Sequence, residues 1–128
     1  MSGTTTTTPA TNETSDLIAS DKVEGTAVYN AAGDRLGTVH NFMVGKRSGK
    51  VAYAVMSFGG FLGIGESYHP LPWEVLTYDT QKGGYVVNLS REQLEGAPRY
   101  SGSEAPDWSD VAYGRRINEY YGVPFGGV

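Results

Sequence analysis

Apolar positions between Val23 and Leu89 come in short runs, and turn-forming residues close each run. That rhythm predicts short strands at close intervals, as in a small sheet or barrel. Five strands can be placed. The first covers about Thr26–Asn30 and ends at Ala31-Ala32-Gly33-Asp34, and the second covers about Leu36–Gly45. Ser48-Gly49 turns the chain into the third, Val51–Phe58, where Val51, Tyr53 and Val55 face one way and Ala52, Ala54, Met56 and Phe58 the other. A strand that is apolar on both faces belongs inside a sheet, covered on each side. The fourth runs through Tyr68–Tyr78 and carries Pro70 and Pro72. Proline has no N–H to give an inner ladder, so this segment is expected at an edge, a bulge or a bend. Gln81-Lys82-Gly83-Gly84 leads into the fifth strand, Tyr85–Leu89.

Two helices follow. Ser90-Arg91-Glu92-Gln93 reads as a capping box, with Gly96 and Pro98 ending a short helix. Pro106 and Asp107 introduce a longer one, with Asp110 in its first turn and Gly122 and Pro124 at its end. Tyr113, Ile117, Tyr120 and Tyr121 fall on one stripe of that helix, which must cover either the chain's own barrel or a partner. Ahead of the strands, residues 1–16 form a Thr-rich tail, Thr4 to Thr8 and then Pro9, with almost no apolar groups to offset the entropy of ordering. The expected organisation is a disordered tail over 1–16, a barrel over 17–100 and a helical, aromatic extension over 101–128.

Composition adds curvature to this picture. Eighteen of the 128 residues are glycine, twelve of them between Gly25 and Gly96, where they suit the tight turns and sharp bends of a small barrel. The absence of cysteine removes disulfides, zinc–cysteine sites, iron–sulfur clusters and thiol nucleophiles. Net charge is −4: residues 21–100 hold eight basic and eight acidic side chains, and each end contributes −2. A neutral core with acidic ends lacks the basic footprint that nucleic acid requires, so no nucleic-acid partner is expected. Lys46, Arg47 and Lys50 bracket Ser48-Gly49 and read as a solvated hairpin tip. Met1–Ser20 has neither a basic start nor an apolar stretch, and the apolar runs fall far short of the roughly 20 residues that span a bilayer. A cytoplasmic protein without a membrane span is expected.

Candidate chemistry changes little. His40 and His69 stand about thirty residues apart with no further ligands at metal-like spacing, and both read as structural. Gly59-Gly60-Phe61-Leu62-Gly63-Ile64-Gly65 is glycine-rich but lacks the spacing of a phosphate loop and leads into a proline-broken strand, not a helix. It places Phe61, Leu62 and Ile64 between two strands, where self-burial and a partner interface are equally open readings. Ser57 lies in a strand without a nucleophile motif, and Glu66 and Glu74 read as surface charges. The glycosylation sequons at Asn12 and Asn88 carry no meaning in a cytoplasmic chain. No catalytic residue, metal site or cofactor is assigned.

Three segments, in order, resemble a known family. Val23-Glu24-Gly25-Thr26-Ala27-Val28-Tyr29-Asn30 with Gly33-Asp34-Arg35-Leu36-Gly37-Thr38-Val39 is similar to the opening of a PRC-barrel domain. Ser48-Gly49-Lys50-Val51-Ala52-Tyr53-Ala54-Val55 resembles its second hairpin, and Leu71-Pro72-Trp73-Glu74-Val75-Leu76 its Val-Pro-Trp strand, with Leu in place of Val. The resemblance covers roughly residues 17–97 and implies a mostly β, strongly bent small barrel with a short helix after its last strand. It implies a module that works through contacts and not through an active site. Such domains occur in the reaction-centre H subunit, in a ribosome-maturation factor and in short stand-alone bacterial proteins, which this chain resembles most. Neither a membrane helix like that of the first nor an N-terminal domain like that of the second is expected here.

The expected function is therefore a non-enzymatic adaptor that binds a protein partner and pairs with itself as a homodimer. The candidate interface is Phe61, Leu62, Ile64, Tyr113, Ile117, Tyr120 and Tyr121. A regulatory accessory to a membrane or electron-transfer complex is the alternative, followed by a ribosome-associated factor.

Overall fold

The structure is a computed structural model in which residues 17–58, 67–101 and 106–125 are described. A single turn of helix, α1 (Ser20–Val23), leads into six strands: β1 (Ala27–Asn30), β2 (Arg35–Val44), β3 (Val51–Phe58), β4 (Ser67–Pro72), β5 (Thr77–Asp79) and β6 (Gly84–Val87). Two helices follow, α2 (Arg91–Glu95) and α3 (Val111–Tyr121). The strands form one sheet in the order β4-β3-β2-β1-β6-β5, antiparallel except where β1 lies parallel to β6.

The connection between β4 and β5 forces the sheet to curl. These two strands are the opposite edges of the sheet, yet only a 3-10 turn at Trp73–Val75 and Leu76 join them. Five chain steps reach at most about 17 Å. A flat six-strand sheet is about 24 Å wide. The edges are therefore drawn toward each other, and the sheet is strongly bent without being closed. Two register shifts in β2, at Val39/Asn41 and Met43/Val44, supply further bend.

The fourth predicted strand is thereby corrected. Tyr68–Tyr78 is two strands separated by the 3-10 turn, and its second half pairs with β6 on the far edge. The prolines do lie at an edge: Pro70 and Pro72 face Val55 and Tyr53 of β3. The outer side of β4 is capped where the Tyr68 and Tyr100 N–H groups each donate to the other's carbonyl, at 2.8 and 3.0 Å. β3 is interior, and Ala54, Val55 and Met56 are each fully buried, as a strand covered on both faces requires.

The core inside the curl comprises Val28, Leu36, Val39, Met56, Phe58, Leu71, Tyr85, Val87 and Leu94, with Trp73, Leu76 and Tyr121 packed against it. The capping box forms as expected: Ser90 Oγ accepts from the Gln93 N–H at 3.1 Å and Gln93 Oε1 from the Ser90 N–H at 2.8 Å. Asp110 is corrected from a first-turn residue to the N-cap of α3, where its carboxylate accepts from the Ala112 N–H. Gly122 ends α3 in the left-handed region at φ 71°, a conformation that only glycine adopts without cost.

Candidate partner-binding surface

α3 packs against β4 of its own chain. Ile117 is fully buried there, so it is withdrawn from any outer surface unless the helix lifts. Asn118 is also buried; its Oδ1 accepts from the Tyr53 hydroxyl at 3.3 Å and its amide donates to the Pro124 carbonyl at 3.1 Å. Gly114 lets the helix approach closely, since a Cβ there would sit 2.8 Å from the Phe125 ring and 3.0 Å from Tyr53 Oη. Tyr121 is half-buried against the core, and burial holds its phenol well above the ordinary range, with Tyr120 and Tyr113 adding to the effect. Tyr113 is half-buried. Tyr120 stays 42 % exposed, yet its hydroxyl donates to the Gln93 carbonyl. Of the seven predicted interface residues, these four therefore form a seam that fastens the extension in cis. Phe61, Leu62 and Ile64 lie outside the described residues.

The extension also brings a residue that the stripe did not include. An Asx turn precedes α3: Asp107 Oδ1 accepts from the Ser109 N–H at 3.0 Å and the Ser109 hydroxyl at 2.5 Å, and these bonds hold the carboxyl below its usual range. The turn sets Trp108 against Tyr53 of β3 (6.0 Å between ring centroids), Tyr100 (6.2 Å) and Tyr113 (6.0 Å). Tyr100 stacks on Tyr68, which in turn meets His40 at 4.6 Å, so a chain of rings runs from α3 across the β4 edge. Burial raises the Tyr53 phenol, and Glu74 raises it further.

Beside Trp108 the β2–β3 hairpin leaves a recess of about 350 Å³. Met43, Val44, Ala52 and Tyr53 form its apolar lining, and Lys46 and Arg47 its rim. Gly49, at φ 73°, makes the tight turn that places these cations together. Lys46, Arg47 and Lys50 are all exposed, as the hairpin-tip reading expected, and Val44 is 44 % exposed.

His69 has no metal-like ligand spacing in the sequence, and its surroundings in the fold bear on chemistry. It is fully buried in β4, with its ring edge-on to Phe58 at 5.1 Å. Its Nε2 lies 2.9 Å from Ser67 Oγ, a pairing that strand alternation at i and i+2 could have suggested. Ser67 also donates to the Phe58 carbonyl at 3.3 Å, so both bonds form only if His69 Nε2–H donates to the serine oxygen. The imidazole then acts as a donor, which is the reverse of a base activating a nucleophile. Its Nδ1 is buried without a partner to orient it.

Burial, reinforced by Arg99, lowers the His69 pKa from 6.5 to about 4. The folded state therefore resists a proton that the unfolded chain accepts, and stability present above pH 6.5 is lost as pH falls toward about 4. Thermal unfolding should show Tm declining across that window, with a shallower decline in His69→Leu. An equal slope in both proteins would show that another group controls it.

Among the described residues no His, Asp and Glu side chains form a group of three that could hold a metal ion, and no helix is long and apolar enough to cross a membrane. Residues 15–94 match the PRC-barrel domain family, and the chain belongs to it. The matched segment takes in every strand and reaches into α2, but stops short of Tyr100, Trp108 and α3. Comparison with curated proteins found no match to this chain.

Proposed function

We propose that the protein is a non-catalytic adaptor of the bacterial cytoplasm, which binds a protein partner at the recess between the β2–β3 hairpin and the C-terminal extension. One observation carries this reading: Trp108, Tyr53, Met43 and Arg47 converge on one small recess. Tryptophan, tyrosine, methionine and arginine are the types enriched where protein partners dock, because each gives large contact area with a polar or adaptable end. The surrounding PRC barrel is the rigid frame that presents them. The protein also pairs with itself in this reading. Among the described residues the β5 edge of the sheet is the surface concerned, and sedimentation at micromolar concentration reads the dimer directly.

A photo-crosslinking residue at Val44 in the native host tests the adaptor role, with the same residue at Glu92 of α2 as the control. A discrete adduct from Val44 that is absent from Glu92, and that weakens with Trp108→Ala, is expected. The same adducts from both positions, or none from Val44, contradict the reading.

A further inference from the structure

We infer that the recess takes an acidic peptide segment with a large apolar anchor, an inference that rests on the adaptor reading and names the chemistry of its partner. The lining divides by character. Met43, Val44, Ala52 and Tyr53 form an apolar floor, Trp108 a flat wall, and Lys46 and Arg47 a cationic rim without a carboxylate among them. Lys50 lies at the same hairpin tip. Among the described residues none of these three cations is held in an ion pair, and all three are exposed.

Charge complementarity chooses the occupant. The chain carries −4 overall and is neutral over residues 21–100, so this hairpin tip is a local cationic spot on a molecule that otherwise repels acidic chains weakly. An acidic segment gains at this tip, where three cations lie within five residues, and that gives orientation and register more than bulk affinity. The apolar floor asks for a second feature, one large side chain such as Leu or Phe, because a recess of about 350 Å³ is the size of an anchor pocket and not of a domain interface. Met43 can shift to fit the anchor, since its unbranched thioether repacks readily. Nucleic acid suits the site less well: Trp108 and Tyr53 could stack bases, but three cations make too short a track for a phosphate backbone. Trp108 comes from outside the residues that match the family, so this wall of the recess is a feature of the extension.

The two tryptophans make the test internal. Trp108 lies at the recess, whereas Trp73 packs against the core beside Tyr85, and each gives one indole N–H signal in a proton–nitrogen correlation spectrum. The full-length chain is titrated with a capped hexapeptide, Asp-Asp-Leu-Phe-Asp-Glu. Its amide counterpart, a counterpart with Ser-Ser in place of Leu-Phe, and a thymidine oligonucleotide serve as comparisons. The Trp108 signal should move saturably with the acidic peptide while Trp73 stays still. Binding should weaken by about tenfold or more for either altered peptide and in the K46E/R47E double variant.

Equal binding of all three peptides, tighter binding of the oligonucleotide, or no movement of Trp108 overturns the inference. If the double variant unfolds, the peptide series alone decides. A specific adduct from Val44 without any preference for acidic peptides leaves the adaptor reading standing and removes the acidic partner. Loss of both results removes the two together.

Discussion

Gly37→Ala is expected to destabilise the protein by about 3 kcal/mol or more, at or beyond the top of the usual range for overpacking. Gly37 sits in β2 opposite Phe58, and a Cβ there would lie 1.9 Å from the Ser57 carbonyl oxygen. That neighbour is backbone within an interior ladder, so no side chain can turn aside and β2 must part from β3. The φ of Gly37 is not in the left-handed region, so the requirement is for space and not for an unusual conformation. Gly49→Ala provides the contrast. Its Cβ would meet nothing within 4 Å, and its cost comes only from φ 73°, about 1–2 kcal/mol. Thermal unfolding followed by circular dichroism should show a Tm loss of about 10 °C or more for Gly37→Ala and clearly less for Gly49→Ala. Equal losses would mean that β2 does not approach β3 as closely as described.

Ile117→Ala should cost about 2–5 kcal/mol, the range for truncating a fully buried aliphatic side chain. Ile117 is the completely buried apolar residue of α3 and sits between the Tyr113 and Tyr121 positions of the seam. Its loss leaves a cavity between α3 and β4, and relaxation there loosens Asn118 and its bond from Tyr53. Trp108 rests on Tyr53 and Tyr113, so its fluorescence should shift to the red in this variant. Val111→Ala, at a position 54 % exposed on the same helix, should change neither quantity. A stable Ile117→Ala with unchanged emission would show that α3 is not fastened by this contact.

Much of the barrel was legible because its signals are local. Gly33-Asp34 and Ser48-Gly49 mark turns, β3 is apolar on both faces, and Ser90 with Gln93 announces a helix start, and each appears where the residues place it. The order of the Leu36-Gly37 and Pro72-Trp73 motifs identified the family, and the Gly37 contact gives one of them a physical reason. Long-range pairing was not legible. Nothing in Tyr68–Tyr78 says that Thr77–Asp79 leaves β3's side of the sheet for β6, or that β6 lies parallel to β1. These pairings depend on which edges the curl draws together.

The site was legible only in part. The stripe of Tyr113, Ile117, Tyr120 and Tyr121 was found from helical spacing, but periodicity cannot say whether an apolar face meets its own chain or another. Pro106 and Asp107 place Trp108 at the start of the helix, off the aromatic stripe; the helix begins only at Val111, and the role of Trp108 appears when the Asp107 turn sets it against Tyr53. The cations at 46, 47 and 50 read correctly as an exposed tip, but the apolar recess beside them is made by Trp108 arriving from more than fifty residues away in the chain.

The binding surface depends on the extension being docked on its own barrel, and the chain is well suited to measuring that. It has no cysteine, so Lys50→Cys and Arg115→Cys, both at exposed positions, can carry a pair of spin labels without side reactions. Pulsed electron–electron resonance is recorded on the labelled chain alone and again with an excess of unlabelled chain. With excess unlabelled chain, when only the labels within one chain remain paired, the account predicts one narrow distance distribution that was already present before dilution. A broad distribution, or loss of that distance on dilution, would mean that the extension is undocked or rests on a second copy, and the recess at Trp108 would not exist within one chain.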